Sequence, residues 1–254
     1  MPRPWLSVVV PAYNEGPWIL ASVEQMRDRL EALGRTWELI VVDNASPDGT
    51  ADRLAPLAED DRIQVLRNDA NRGKGYSLRR GMLAARGELR LHCDADCAAS
   101  FASLPALLAE VGAGADVVVG SRLARGARLG RRQPLRRRIV GRSFVLLCRA
   151  VLREPTSDLF CGFKLWRADA ATTVYSRSSL DGWTFDAETL ALARALGFRL
   201  REVGVEWSDR EGSRLSMHKV LVPVVRELAA ARRHVRRELA RPAPDSAEAA
   251  SSAG

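Results

Sequence analysis

The most constraining feature of the chain is an alternation repeated along its first half: a short apolar run, a polar loop, then a stretch compatible with a helix. The runs are residues 6–11, 37–42, 63–67, 89–93 and 116–119. Short and rich in valine, leucine and isoleucine, they read as buried strands. Between them, Pro17 is expected to open a helix ending near Leu33. Further helices are expected at residues 50–58, 74–86 and 104–111. Strands joined through helical crossovers give an α/β fold: one Rossmann-like domain, its central sheet mostly parallel, with helices on both faces. Ligand sites in such sheets lie beyond the carboxyl ends of the strands. Here those ends deliver Asn14-Glu15, Asp43-Asn44, residues 71–74 and Asp94-Ala95-Asp96.

The last of these loops carries the sharpest chemistry. In an extended chain residues i and i+2 face the same way, so Asp94 and Asp96 are expected to aim at one point. Two carboxylates at one point repel unless a cation lies between them. Hard oxygen donors suit Mg²⁺ or Mn²⁺, which also take phosphate oxygens. Cys93 and Cys97 flank the pair, but zinc needs more soft ligands, and His92 is the only candidate nearby. The four cysteines form no CxxC pair and read as reduced cytosolic thiols.

After Gly120-Ser121-Arg122 the alternation stops. Residues 123–138 read as a long basic loop, 138–152 as a helix and 156–164 as a loop. An amphipathic helix at 183–197, a strand at 199–207 and a helix at 217–239 interrupted by Pro223 follow. Residues 241–254, rich in Pro, Ala, Ser and Asp, read as a disordered tail. The net charge of +8 is concentrated in nine arginines between positions 122 and 142 and in a cluster at 226–241. That excess points to a polyanionic partner. Single-stranded nucleic acid would call for aromatic side chains among the arginines, and only Phe144 lies near, so no nucleic-acid partner is expected. The N-terminus reads as lacking a signal peptide, and no run of 18 apolar residues is present.

Several stretches, in this order, resemble inverting family-two glycosyltransferases. They are Val10-Pro11-Ala12-Tyr13-Asn14-Glu15, Val42-Asp43-Asn44-Ala45-Ser46, Asn71-Arg72-Gly73-Lys74-Gly75-Tyr76, Asp94-Ala95-Asp96, Gly120-Ser121-Arg122 and Cys161-Gly162-Phe163-Lys164. Together with Phe185-Asp186-Ala187-Glu188 they look most like the branch that makes dolichyl- or polyprenyl-phosphate sugars, over residues 6–215. Asn44, Cys97 and Phe160 depart from that branch's usual residues without removing a needed carboxylate.

The resemblance implies a glycosyltransferase-A catalytic domain at 1–215, with the donor site mainly in 6–122 and the acceptor region mainly in 122–215. A basic C-terminal helix at 216–240 and the tail follow. It implies inverting, metal-dependent transfer of a hexose from a nucleotide-diphosphate sugar, of the UDP-glucose or GDP-mannose class, to a polyprenyl phosphate. Donor contacts would fall to Pro11, Ala12, Tyr13, Asn14, Glu15, Asp43, Asn44, Asn71, Gly73, Lys74 and Asp94-Ala95-Asp96, with Asp43 accepting from the base N–H. Asp94 and Asp96 would hold Mg²⁺ or Mn²⁺. Arg122, Arg210 and Arg214 would join them in catalysis, the last two closing over the diphosphate. Arg122, Arg131, Arg132, Arg136, Arg137 and Arg138 would grip the acceptor phosphate, guanidinium being suited to that task. Asp158, Lys164 and Asp186 hold motif positions that are either structural or acceptor-side.

A lipid monophosphate is already ionised near neutral pH, its second pKa being about 6. It needs no strong general base. A soluble hydroxyl acceptor, the competing reading, would need one, and Asp158 and Asp186 are the motif-placed candidates. The lipid reading places the protein in the cytoplasm, peripheral on the inner face of the membrane. It would reach an anionic surface directly or through a membrane-anchored partner protein.

Overall fold

The computed structural model describes residues 3–57, 59–130, 135–208 and 221–240; of 135–140 and 221–226 it describes the helical backbone alone. In chain order the strands are β1 (Leu6–Ala12), β2 (Trp37–Asp43), β3 (Ile63–Arg67), β4 (Leu89–Cys93), β5 (Val117–Ser121), β6 (Arg128–Leu129), β7 (Phe163–Arg167), β8 (Leu200–Gly204) and β9 (Glu206–Trp207). The helices are α1 (Ile19–Glu31), α2 (Lys74–Ala84), α3 (Leu104–Gly112), α4 (Leu135–Leu152), α5 (Ala168–Arg177), α6 (Phe185–Ala195) and α7 (Leu221–Ala240).

Seven strands form one sheet in the order β3-β2-β1-β4-β7-β5-β8. All neighbours are parallel except β7, which runs antiparallel to both β4 and β5. The sheet is therefore mostly parallel, as the alternation requires. Side-chain alternation along β1 divides the core: Leu6, Val8 and Val10 enter one apolar cluster with α1 and α3, and Val9 enters the other with α2, α5 and α6. Burial on both faces is why these strands are continuous apolar runs.

Several expectations need correction. β7 and α5 lie where no strand or helix was expected, β7 starting inside the motif Cys161-Gly-Phe-Lys164. Phe-Lys-Leu-Trp-Arg carries cations at its second and fifth positions, so its burial is invisible to hydropathy; Lys164 is fully buried all the same. The helix expected at 50–58 is a short 3₁₀ segment, Asp52–Leu57, with Pro56 inside it. Pro17 does not open α1; Glu15 O accepts the N–H groups of Trp18 and Ile19, and the helix starts two residues later than expected. The strand expected at 199–207 is split. β8 joins the main sheet, and β9 pairs with β6 in a separate two-stranded ribbon. Pro223 does not interrupt α7, which is helical through it over the described span Leu221–Ala240. The expected start of that helix at 217 and the tail at 241–254 lie outside the described residues.

Candidate active site

Asp94 follows the last residue of β4, near the middle of the sheet and at its carboxyl edge. The chain is not extended here. Cys97 N–H donates to Asp94 O at 3.1 Å, so residues 94–97 form a turn, and the extended-chain reason for aligning Asp94 with Asp96 fails. What orients Asp94 is its surroundings. Its Oδ1 lies 2.6 Å from Lys74 Nζ and 3.1 Å from His92 Nε2. The carboxylate also rests against the Cα of Gly162, where any β-carbon would overlap it. Asp96 Oδ1 accepts the N–H of Ala98 at 3.0 Å.

Burial alone would raise the Asp94 carboxyl. The Lys74 ammonium and the His92 hydrogen bond outweigh it and hold the group far below the ordinary carboxylate range. Burial likewise opposes the Lys74 charge, but Asp94, Asp186 and Asp96 prevail and hold its pKa above the usual value. Burial dominates at His92 and keeps it neutral. Its Nε2–H then donates to Asp94, while Nδ1 has no hydrogen-bond partner and stands 4.0 Å from Asp186 Oδ1.

Behind this cluster, Lys164 and Asp186 form a buried pair, Nζ to Oδ1 at 2.6 Å, with Nζ also donating to Cys161 O at 2.7 Å. Lys164 sits opposite His92 across the β4–β7 pairing. Glu188 is equally interior, accepting from the Ser179 N–H and hydroxyl and from Leu180 N–H. In both late motifs the charged side chains Lys164, Asp186 and Glu188 thus fasten the interior, and Gly162 makes room for Asp94. Gly162→Ala is expected to give a folded protein that has lost at least about tenfold in transfer rate, because the added methyl displaces Asp94. Circular dichroism and a turnover assay check both halves.

The loops expected to line the donor site tie to one another. Asn44 donates to Asn71 Oδ1 at 2.8 Å and accepts from Asn68 Nδ2 at 2.9 Å and Arg72 N–H at 3.0 Å. Asn14 N–H and Glu15 N–H are taken by the hydroxyls of Ser46 and Thr50, both at 3.0 Å. Asn14 and Ala45 hold positive φ, near 57°, in the left-handed region that side chains seldom occupy. Tyr13 is exposed at the rim, whereas Ala12 is buried and its carbonyl accepts Asn44 N–H. Asp43 is fully buried, its oxygens 3.3 Å from Ser46 N–H and one of them 3.5 Å from Arg67 Nε. In this conformation it faces Arg67 rather than open solvent. The helix start at Gly73 does not present a cradle of free N–H groups. Gly73 has φ +98° and lies against the Asp181 backbone, whose carbonyl accepts the Gly75 and Tyr76 N–H groups. Lys74 therefore contributes its ammonium, not a helix-end anion site.

On the other side, Arg122 binds Asp158 through Nε at 2.7 Å and Nη2 at 2.7 Å, and its backbone N–H adds a third bond at 2.8 Å. Asp158 is buried, and its carboxylate raises the Arg122 pKa against the effect of burial. Trp183, exposed beside Lys74, has its ring centre 5.7 Å from Nζ; the Trp207 ring lies 5.4 Å from the Arg122 guanidinium. These aromatics, with Ser46, Asp48, Thr50, Asn68 and His92, were not read from the sequence as site residues. Their only local signal is position within a few residues of a motif. Arg131, Arg132, Arg210 and Arg214 lie outside the described residues, and Arg136, Arg137 and Arg138 belong to the part of α4 described by backbone alone.

A central, mostly parallel sheet with a carboxylate–lysine cluster at its carboxyl edge is the arrangement of a glycosyltransferase of the GT-A fold. Residues 7–180 match the family Glycosyl transferase family 2. A dolichyl-phosphate beta-glucosyltransferase of Trichomonas vaginalis is 32% identical over 227 residues, covering 85% of this chain and 69% of that protein. That of Mus musculus is 32% identical over 228 residues, covering 84% and 70%. The chain also superposes on the mannosyltransferase PcManGT from Pyrobaculum calidifontis in complex with GDP-Man and Mn²⁺, with a TM-score of 0.56, 19% identity and coverage of 99% and 80%. For glucosyl-3-phosphoglycerate synthase from Mycobacterium tuberculosis in complex with UDP the TM-score is 0.61, at 21% identity and 94% and 82% coverage. The chain belongs to glycosyl transferase family 2. Among the described residues no helix is long and apolar enough to cross a membrane.

Proposed function

We propose that the protein transfers a hexose from a nucleotide-diphosphate sugar to a polyprenyl phosphate, inverting the anomeric centre. The observation that carries this reading is the state of the two motif-placed carboxylates. Asp158 is locked on Arg122 and Asp186 on Lys164, and both are buried. A hydroxyl acceptor needs a base within hydrogen-bond reach of its proton. Neither carboxylate can serve as one, which favours an acceptor already ionised, such as a phosphate. The dolichyl-phosphate relatives support the same acceptor class.

In this reading Asp94 and Asp96 hold a divalent cation on the donor diphosphate. Carboxylates are the right kind of donor, since Mg²⁺ or Mn²⁺ commonly takes one or two of them and completes its shell with phosphate and water. When bound, the metal neutralises charge on the leaving group. The protein's own residues position the reactants. Lys74 and His92 fix Asp94 through Oδ1, and Lys74 adds a cation beside the diphosphate. Arg122, aligned by Asp158, directs its remaining guanidinium edge to the acceptor phosphate. The Trp183 and Trp207 rings limit how far the two cations can swing.

A donor panel tests this. UDP-glucose, GDP-mannose and related donors, each with a polyprenyl phosphate and Mn²⁺, are expected to yield a lipid-linked sugar from at least one donor and nothing in excess EDTA. Transfer only to free sugars or small alcohols would overturn the acceptor assignment.

A bilayer-bound acceptor requires the protein to visit the membrane surface. On α4, Phe144 is stacked on Phe160 at 5.0 Å between ring centres and so faces the protein, while Leu146 and Leu147 are 61% and 37% exposed. The exposed Arg233, Arg236 and Arg237 line the outer face of α7. Each cation near an anionic surface contributes about 1 kcal/mol, screened by salt. Co-sedimentation with anionic vesicles is expected at low salt, falling at high salt and on replacing Arg136, Arg137 and Arg138 by alanine. Indifference to anionic vesicles would shift the anchoring role to a partner protein or favour the soluble hydroxyl acceptor.

A further inference from the structure

Two thiols bracket the aspartate turn. Cys93 ends β4 and is buried; Cys97, partly exposed, follows Asp96. Both are drawn to one atom: the Cys93 thiol lies 3.6 Å from Asp94 O, and Cys97 N–H donates to that same oxygen at 3.1 Å. Cys93 belongs to an apolar cluster against which the Cys97 side chain also packs. Cys97 has φ +51°, a left-handed conformation that residues with a β-carbon seldom adopt. It also lines a cleft of about 410 Å³ with Ala98, Phe101 and Trp207.

We propose that Cys93 and Cys97 are a paired modification site: hydrogen peroxide joins them in a disulfide, and the closed ring withdraws Asp94 and Asp96 from nucleotide binding. The chemistry balances. Cys97 sulfur attacks the peroxide O–O bond; an S–O bond forms, the O–O bond breaks, and one oxygen leaves as water. The resulting sulfenic acid is attacked by Cys93 sulfur. The S–S bond forms, the S–O bond breaks, and the second oxygen leaves as water with the Cys93 proton. One peroxide and two thiols give one disulfide and two waters, and a dithiol reductant reverses the step by exchange.

Closure must move the turn. A disulfide sulfur pair stands about 2.05 Å apart, far closer than two thiols in contact. Cys93 is still held in the sheet, paired with Phe163 of β7. Cys97 moves instead and carries Asp96 with it. The withdrawal of the carboxylates, unlike the bridge itself, rests on the nucleotide-sugar reading above.

The experiment compares wild type with Cys97→Ser, each treated with hydrogen peroxide and then with dithiothreitol. Peptide mapping locates disulfides, and calorimetry with UDP or GDP plus Mn²⁺ reads binding. Cys148 and Cys161, the other two cysteines of the chain, serve as internal controls. The expected result is a 93–97 bridge in wild type and a fall in nucleotide affinity of about tenfold or more, restored by dithiothreitol. Cys97→Ser is expected to bind as reduced wild type does, with or without peroxide. Absence of the bridge after peroxide, or a bridge with unchanged nucleotide affinity, overturns the proposal. Reduced protein that binds neither nucleotide overturns the carboxylate half, while peptide mapping still decides the thiol pair.

Discussion

Asp94→Asn is expected to lower turnover by about three orders of magnitude while leaving the protein folded. The amide keeps the shape and an oxygen that can accept from Lys74 and His92, whose donors lie 2.6 and 3.1 Å from Oδ1. It removes the charge that opposes Lys74 and that a divalent cation needs. A loss of roughly 4 kcal/mol of transition-state stabilisation corresponds to a thousandfold in rate. Asp94 and Lys74 are both partly solvent-accessible, so the change in melting temperature should be small beside the change in rate. Steady-state kinetics, a thermal melt and a Mn²⁺ titration read the separate terms. Turnover near wild type, or full activity in excess EDTA, would remove Asp94 from the metal and from the chemistry.

The largest stability effect is expected at Lys164→Met. Lys164 is fully buried, and its ammonium is the partner of Asp186 and of the Cys161 carbonyl. Removing it leaves a carboxylate inside the protein without its counter-charge, a change that costs about 3–5 kcal/mol in buried pairs. In a chain of this size each kcal/mol lowers the melting temperature by about 2–4 °C. The double variant Lys164→Met/Asp186→Leu should recover much of the loss, since an apolar pair of similar volume dispenses with the desolvation of both charges. Recovery will be incomplete because the Cys161 carbonyl keeps no donor. Chemical denaturation of the single and double variants measures the coupling. If the double variant is as unstable as Lys164→Met alone, the pair is not what Lys164 contributes.

Sequence and structure divide cleanly along one physical line. Hydrophobic period and turn chemistry are local, so β1 to β5, the polar loops at their carboxyl ends and the mostly parallel sheet were readable from the chain itself. So were the two carboxylates just after β4, although the sequence reading aligned them through an extended chain and the structure forms a turn there. What sequence could not provide is partnership. β7 escaped notice because its second residue is lysine, and only the arrival of Asp186 from α6 makes that lysine tolerable in the core. Asp158 and Asp186 carry the same formula as any acid; their pairing with Arg122 and Lys164 removes them from acid–base work. Likewise Gly73 and Lys74 look like an anion cradle until the Asp181 carbonyl, more than a hundred residues along the chain, takes the helix-end N–H groups. Chain-local rules decide which elements form. Long-range contacts decide which of their charges remain available to a ligand, because burial and a counter-charge change a side chain's chemistry more than its identity does.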